Sequence, residues 1–125
     1  MKQERFSIGK RFKSFMFAFN GLKILFREEH NAILHLLAAI AVVISGFVFK
    51  ISTHEWLAIA FAIGFVMALE IINTAIESIA DFVSPAKHEK IKKIKDLSAA
   101  AVLVGSVTAL VVGLIVFIPK ITALC

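Results

Sequence analysis

Charge is scarce in this chain: Asp, Glu, Lys and Arg make up 18% of its 125 residues, while 59% are hydrophobic. Soluble globular domains carry about 25% charged and about 45–50% apolar residues, so a water-soluble fold is excluded. The mean hydropathy of +0.88 agrees. The length suits one domain, residues 1–125, and is too short for a second one or for the large soluble Rossmann and barrel folds. The single cysteine, Cys125, cannot form an internal disulfide, and its terminal place builds no ligand cluster. His30, His35, His54 and His88 lack the i, i+4 spacing of a zinc site. Short alternating strands are missing, which excludes a transmembrane barrel, and there is no internal repeat or low-complexity segment. What remains is an all-α integral membrane protein.

Three stretches are long enough to cross a hydrocarbon core, which takes roughly 20 apolar residues as helix. They cover about 32–49, 56–83 and 97–118. Backbone polar groups in lipid must be satisfied internally, so all three are expected as helices. Proline breaks the pattern at Ser84-Pro85 and ends it at Pro119; a second turn is expected at Lys50–Ser52. The 14 basic residues set the orientation. Lys2, Arg5, Lys10, Arg11, Lys13, Lys23 and Arg27 precede the first span, and Lys87, Lys90, Lys92, Lys93 and Lys95 separate the second from the third. Only Lys50 and Lys120 lie on the opposite side. The excess of positive charge places the N-terminus and the basic 87–95 loop in the cytoplasm. It also accounts for the net charge of +5 without nucleic-acid binding.

The N-terminal segment, about 6–29, is not a cleaved signal peptide, because basic residues interrupt every apolar run. At 100° per residue, Lys10, Lys13, Asn20, Lys23 and Arg27 fall on one side of a helix, and Phe12, Phe15, Phe19, Leu22 and Phe26 largely on the other. Such a helix is expected to lie in the membrane interface with its phenylalanines in the acyl boundary. The third span carries Ala101, Gly105, Ala109 and Gly113 at four-residue spacing. This ridge lets helices approach closely, in the monomer's own bundle or in an oligomer.

The informative segment runs Glu70-Ile-Ile-Asn73-Thr74-Ala-Ile-Glu77-Ser-Ile-Ala-Asp81. Its spacings bring Glu70, Asn73, Glu77 and Asp81 within about 80° of one helix face. Carboxylates inside a span are costly and mark function by default. Counting 1.5 Å per residue from Trp56, a core of about 30 Å is crossed near residue 76. Glu77 and Asp81 then sit at the cytoplasmic interface, and Glu70 lies roughly 10 Å below it. A carboxylate at that depth can reach a lipid hydroxyl just under the headgroups. Glu28 and Glu29 end the amphipathic helix on the same side. Facing carboxylates with water nearby suit Mg²⁺, which takes few protein ligands plus phosphate oxygens. With the basic 87–95 loop, the set fits phosphoryl transfer to a lipid alcohol. A stripe of this kind can equally glue helices together or conduct protons. A small non-enzymatic oligomer conducting protons or ions is therefore the alternative.

The run EIINTAIESIAD, followed by KHEKIKKIKDLSAAAVLV, resembles the bacterial integral-membrane diacylglycerol kinase family, which includes the undecaprenol kinases. The family signature is E-x-aliphatic-N-[ST]-A-aliphatic-E-x-x-V-D, and Ala80 in place of Val is the one departure. The resemblance implies a homotrimer in the bacterial cytoplasmic (inner) membrane, with composite sites that use ATP and Mg²⁺. It implies Glu70 as proton acceptor for the lipid hydroxyl and Asn73 as the group that orients substrate or Glu70. Glu29 and Glu77 would hold Mg²⁺ against ATP. Lys95 would contact phosphate, while Lys87, His88 and Asp96 would line the nucleotide site. Lys10 stands where the family often has an Arg that reaches ATP; the charge is kept and the bidentate fork is lost. No Walker loop is present, so metal and lysine must neutralise the phosphate charge. The segment Glu28-Glu29-His30-Asn31-Ala-Ile-Leu-His35 is similar to the EERNFRIH-type segment of the undecaprenol kinase branch. Asn31 and His35 would contact substrate or bond across helices. Phe17 falls where the diacylglycerol branch carries a Tyr, a residue this chain lacks altogether. Diacylglycerol and undecaprenol both remain open as acceptors.

Overall fold

A computed structural model describes residues 5–86 and 88–125; Lys87, expected at the nucleotide site, lies outside the described residues. Four helices follow one another: α1 (Ile8–Glu28), α2 (His30–Val48), α3 (Thr53–Val83) and α4 (Glu89–Thr122). The last three are long and apolar enough to cross a membrane. The chain is thus a multi-pass membrane protein, with α1 as the additional N-terminal helix.

Local chemistry sets the ends. Ser7 caps α1 by accepting from the Lys10 N–H. Glu29 adopts extended backbone between α1 and α2 and breaks what would otherwise be one continuous helix. Ser52 and Glu55 form a reciprocal capping box at the start of α3, satisfying two otherwise orphaned N–H groups. At the end of α2, the Lys50 N–H bonds to the Phe47 carbonyl and the Ile51 N–H to the Gly46 carbonyl. Those two bonds define a Schellman motif, and Lys50 takes its left-handed position at φ 52°. The expected turn at Lys50–Ser52 is therefore present.

Two expectations need correction at α4. The basic 87–95 stretch is not all loop, since the helix begins at Glu89 and carries Lys90 through Asp96 on its first two turns. His88 caps it, its Nδ1 accepting from the Lys90 N–H at 3.1 Å, and Lys92 pairs with Asp96 one turn on at 2.7 Å. Nor does Pro119 end the helix, which runs through it to Thr122. Proline gives up its own N–H bond and its ring crowds the carbonyl four residues back, but it stands one turn from the helix end, and the turn after it closes through the Ala123 N–H on the Pro119 carbonyl.

α3 is the central element: α4 packs along it, and α1 and α2 both touch it. At the end that carries the 49–52 turn, Ile51, Ile59 and Val116 form a buried apolar core joined by Trp56, Phe49 and Phe117. Trp56 fits there because residue 46 is glycine; a Cβ on it would stand 2.6 Å from the indole ring. Gly105 does the same for the α3–α4 contact, where a Cβ would run into Leu69 and touch Phe65 at 3.4 Å. Gly113 meets nothing within 4 Å. The small-residue ridge is therefore split: Gly105 serves the chain's own bundle and Gly113 faces open space. Ion pairs join α3 to α4 at both ends, Glu55 with Lys120 at 3.1 Å and Asp81 with Lys95. On α1, Phe12, Phe15, Phe17 and Phe19 are exposed while Leu25 is buried. Its apolar face is thus left largely uncovered by the chain, as an interfacial helix requires.

Candidate active site

At the other end of the bundle the interior turns polar. Glu70 is 1% exposed, Asn73 8% and Ser98 7%. The i, i+3, i+7 spacing on α3 turns Glu70, Asn73 and Glu77 toward the same side, and α2 and α4 close over them. From α2, His35 Nδ1 stands 2.9 Å from Glu70 Oε1. Neither atom has a hydrogen bond of good geometry, and Thr74 Oγ1 is likewise buried without one. His35 and Glu70 still attract each other at that distance, whereas a buried hydroxyl left without a partner costs about 1–3 kcal/mol; the cluster thus has hydrogen-bonding capacity left for a ligand. Asn73 Nδ2 donates to Glu77 Oε1 at 3.3 Å, and Ser98 Oγ on α4 donates to Asn73 Oδ1 at 2.6 Å.

Glu29 belongs to the same group. Its charge and that of Glu77 both act on the Glu70 carboxyl, so the break between α1 and α2 delivers a carboxylate to the α3 stripe. Two carboxylates are the kind of donor Mg²⁺ takes, although no cluster of three or more His, Cys, Asp or Glu forms among the described residues. Mg²⁺ binds through one or two carboxylates plus substrate phosphates.

Glu77 also acts on Lys95, which links the buried cluster to the α3–α4 connection. There, Asp81, His88, Lys92, Lys95 and Asp96 line a cleft of about 480 Å³. Lys95 is ion-paired to Asp81, and Asp96 to Lys92. His88 has its Nδ1 committed to the helix cap, which leaves Nε2 for any ligand. Asn31 is exposed on the first turn of α2 and Lys10 on the first turn of α1. A second cavity, about 520 Å³ and almost wholly apolar, lies between α2, α3 and α4. Ala39, Val42, Ala109 and Gly113 line it, and His35 lies on its wall. An apolar groove thus runs to the histidine that touches Glu70.

Sequence spacing brings out Glu70, Asn73 and Glu77. It does not bring out Ser98, which sits beside a run of alanines and reads as one more small packing residue. Thr74 lies inside the motif with no signal of its own.

Residues 16–117 match the prokaryotic diacylglycerol kinase family. The undecaprenol kinase of Bacillus subtilis is 40% identical over 119 residues, 95% of this chain and 97% of that protein. The diacylglycerol kinase of Synechocystis sp. is 31% identical over 112 residues, 89% of this chain and 64% of that protein. That of Sinorhizobium sp. is 38% identical over 95 residues, 74% of this chain and 66% of that protein. With the motif in place on α3 and similarity running through all three apolar helices, the chain belongs to the prokaryotic diacylglycerol kinase family.

Proposed function

We propose that this chain is an ATP-dependent lipid kinase that phosphorylates the hydroxyl of a membrane-embedded alcohol, undecaprenol or diacylglycerol. The observation that carries the reading is Glu70. It is a carboxylate 1% exposed in the apolar body of a membrane protein, with an oxygen lacking an aligned hydrogen bond. A substrate hydroxyl supplies that bond. As the lipid oxygen attacks the γ-phosphorus, its proton passes to Glu70, and the bond from the γ-phosphorus to the bridging oxygen breaks to release ADP. Asn73 gives one amide hydrogen to Glu77, and its second remains to orient Glu70 or the acceptor. His35 and Asn31 contact the acceptor, whose tail lies in the apolar groove that His35 borders.

Glu29 and Glu77 would hold Mg²⁺, which when bound neutralises phosphate charge. Lys95 contacts phosphate once ATP displaces Asp81 from it, and His88, Asp96, Lys87 and Lys10 line the nucleotide. Undecaprenol is the favoured acceptor, supported by the 40% identity to an undecaprenol kinase over nearly the full length of both chains. The working assembly is a homotrimer in the bacterial cytoplasmic membrane. Its N-terminus faces the cytoplasm, as the basic residues before α2 and after α3 favour.

The test is phosphoryl transfer from Mg²⁺-ATP by the purified protein in mixed micelles, with each lipid offered separately and Glu70→Gln as control. Transfer that disappears in the variant while the fold persists supports the reading. No transfer to either lipid by a folded protein would overturn it, and pH-dependent ion flux in liposomes would then favour the conducting alternative.

A further inference from the structure

We infer that Ser98 is a positioning residue of the phosphoryl-transfer site: its hydroxyl locks the Asn73 amide, and through it the Glu77 carboxylate. The direction of each hydrogen bond follows from chemistry. An ionised carboxylate only accepts, so the Asn73 group facing Glu77 Oε1 at 3.3 Å is the Nδ2 amide donor. The carbonyl Oδ1 must then face α4, where the group at 2.6 Å is the Ser98 hydroxyl, acting as donor. Turning the amide over would set two acceptors against each other at Glu77. Glu77 thus sets which way the amide faces, and one hydroxyl on α4 tethers its carbonyl end, so that the α3 side chain is held at both ends.

Helix stability does not explain a serine here. Residues 99–101 are all alanine, alanine is the better helix former, and a buried hydroxyl is unfavourable unless bonded. Ser98 is 7% exposed, and its partner is the motif asparagine. Ser98 lies one turn from Lys95 on the same face of α4. That face thus presents two contacts to α3, Lys95 to Asp81 and Ser98 to Asn73. With Oε1 of Glu77 held by the amide, Oε2 is the oxygen left for a divalent cation. Groups that orient a metal-binding carboxylate in this way typically govern affinity by 10–100-fold. The inference rests on the proposed role of Glu77 in holding Mg²⁺.

The test measures Mn²⁺ binding by electron paramagnetic resonance, with a non-hydrolysable ATP analogue present, on the full chain in detergent. The KM for Mg²⁺-ATP and kcat are measured in parallel. Ser98→Ala is expected to weaken Mn²⁺ binding about tenfold and to raise KM by a similar factor, with kcat changed about threefold or less. Ser98→Thr, which keeps the hydroxyl, is expected to restore both. In an Asn73→Ala background, Ser98→Ala should add no further loss of Mn²⁺ binding. Ser98→Cys, similar in size but a poor donor, takes the place of the alanine variant should that fail to fold, with the same loss expected. Wild-type Mn²⁺ affinity and KM in a variant without the hydroxyl would overturn the inference. So would a threonine variant as impaired as the alanine one, because packing rather than the hydroxyl would then be responsible. Glu77→Gln separates the two levels. If it keeps wild-type Mn²⁺ affinity, the metal-site reading itself fails. If it loses affinity while Ser98→Ala does not, only the role of Ser98 fails.

Discussion

Lys50 occupies a backbone conformation that favours glycine. Among the described residues it is the one non-glycine position with positive φ, and its place in the Schellman turn leaves it no alternative. For an L-residue the left-handed region costs about 1–2 kcal/mol, part of which glycine returns through its freer unfolded chain. Lys50→Gly is therefore expected to stabilise the protein by about 0.5–1 kcal/mol, read as a higher denaturation midpoint in detergent. A lower midpoint would mean that the lysine side chain contributes more than its backbone costs. Legibility at this scale divides by whether a residue's role is local. Glu70, Asn73 and Glu77 are legible because their spacing and their charge inside a span are both written in one helix. Ser98 is not, because its partner is 25 residues away and only the packing of α4 on α3 brings them together.

The α3–α4 pair is the element on which the site depends, and Gly105 sets how closely the two helices approach. Gly105→Val would drive branched carbons into the space of Leu69 and Phe65, at an expected cost of about 1–3 kcal/mol. Gly113→Val, which meets open space, is the matched control and is expected to change stability little. Thermal unfolding of both variants checks the split of the ridge, and equal losses would contradict it. The start of α4 shows why elements mislead in sequence. A run of lysines between two apolar stretches has the look of a loop. The His88 cap and the Lys92–Asp96 pair nevertheless support helix from its first turn. Pro119 misleads in the same sense, because a proline one turn from a helix end gives up its own bond and crowds the turn before it, yet need not stop the chain.

At the scale of the whole molecule, the bundle has an apolar core at one end and a buried polar cluster at the other. Composition alone makes it a membrane protein, and the basic residues alone suggest its orientation. The electrostatic influence of Glu29 on Glu70 is only hinted at in sequence, by both lying toward one side of the membrane. It takes the chain break at residue 29 to create it. The two ion pairs between α3 and α4 carry a consequence for the surroundings. Glu55 and Asp81 are about 26 residues apart, or ~39 Å of helix, and Lys95 and Lys120 are about as far apart. Charged pairs belong in the headgroup layers, and a whole bilayer measures about 40–45 Å. The hairpin therefore acts as a gauge of thickness, with Glu70 held at a set distance from one of its marks. Lipids that are too short or too long must stretch, thin or tilt to fit it, at fractions of a kcal/mol per Å of mismatch. Turnover in vesicles of graded acyl-chain length is expected to peak where the hydrocarbon is about 30 Å thick and to fall on either side. A flat profile would show that the hairpin yields to the bilayer, whereas a peak makes membrane thickness a variable this kinase senses.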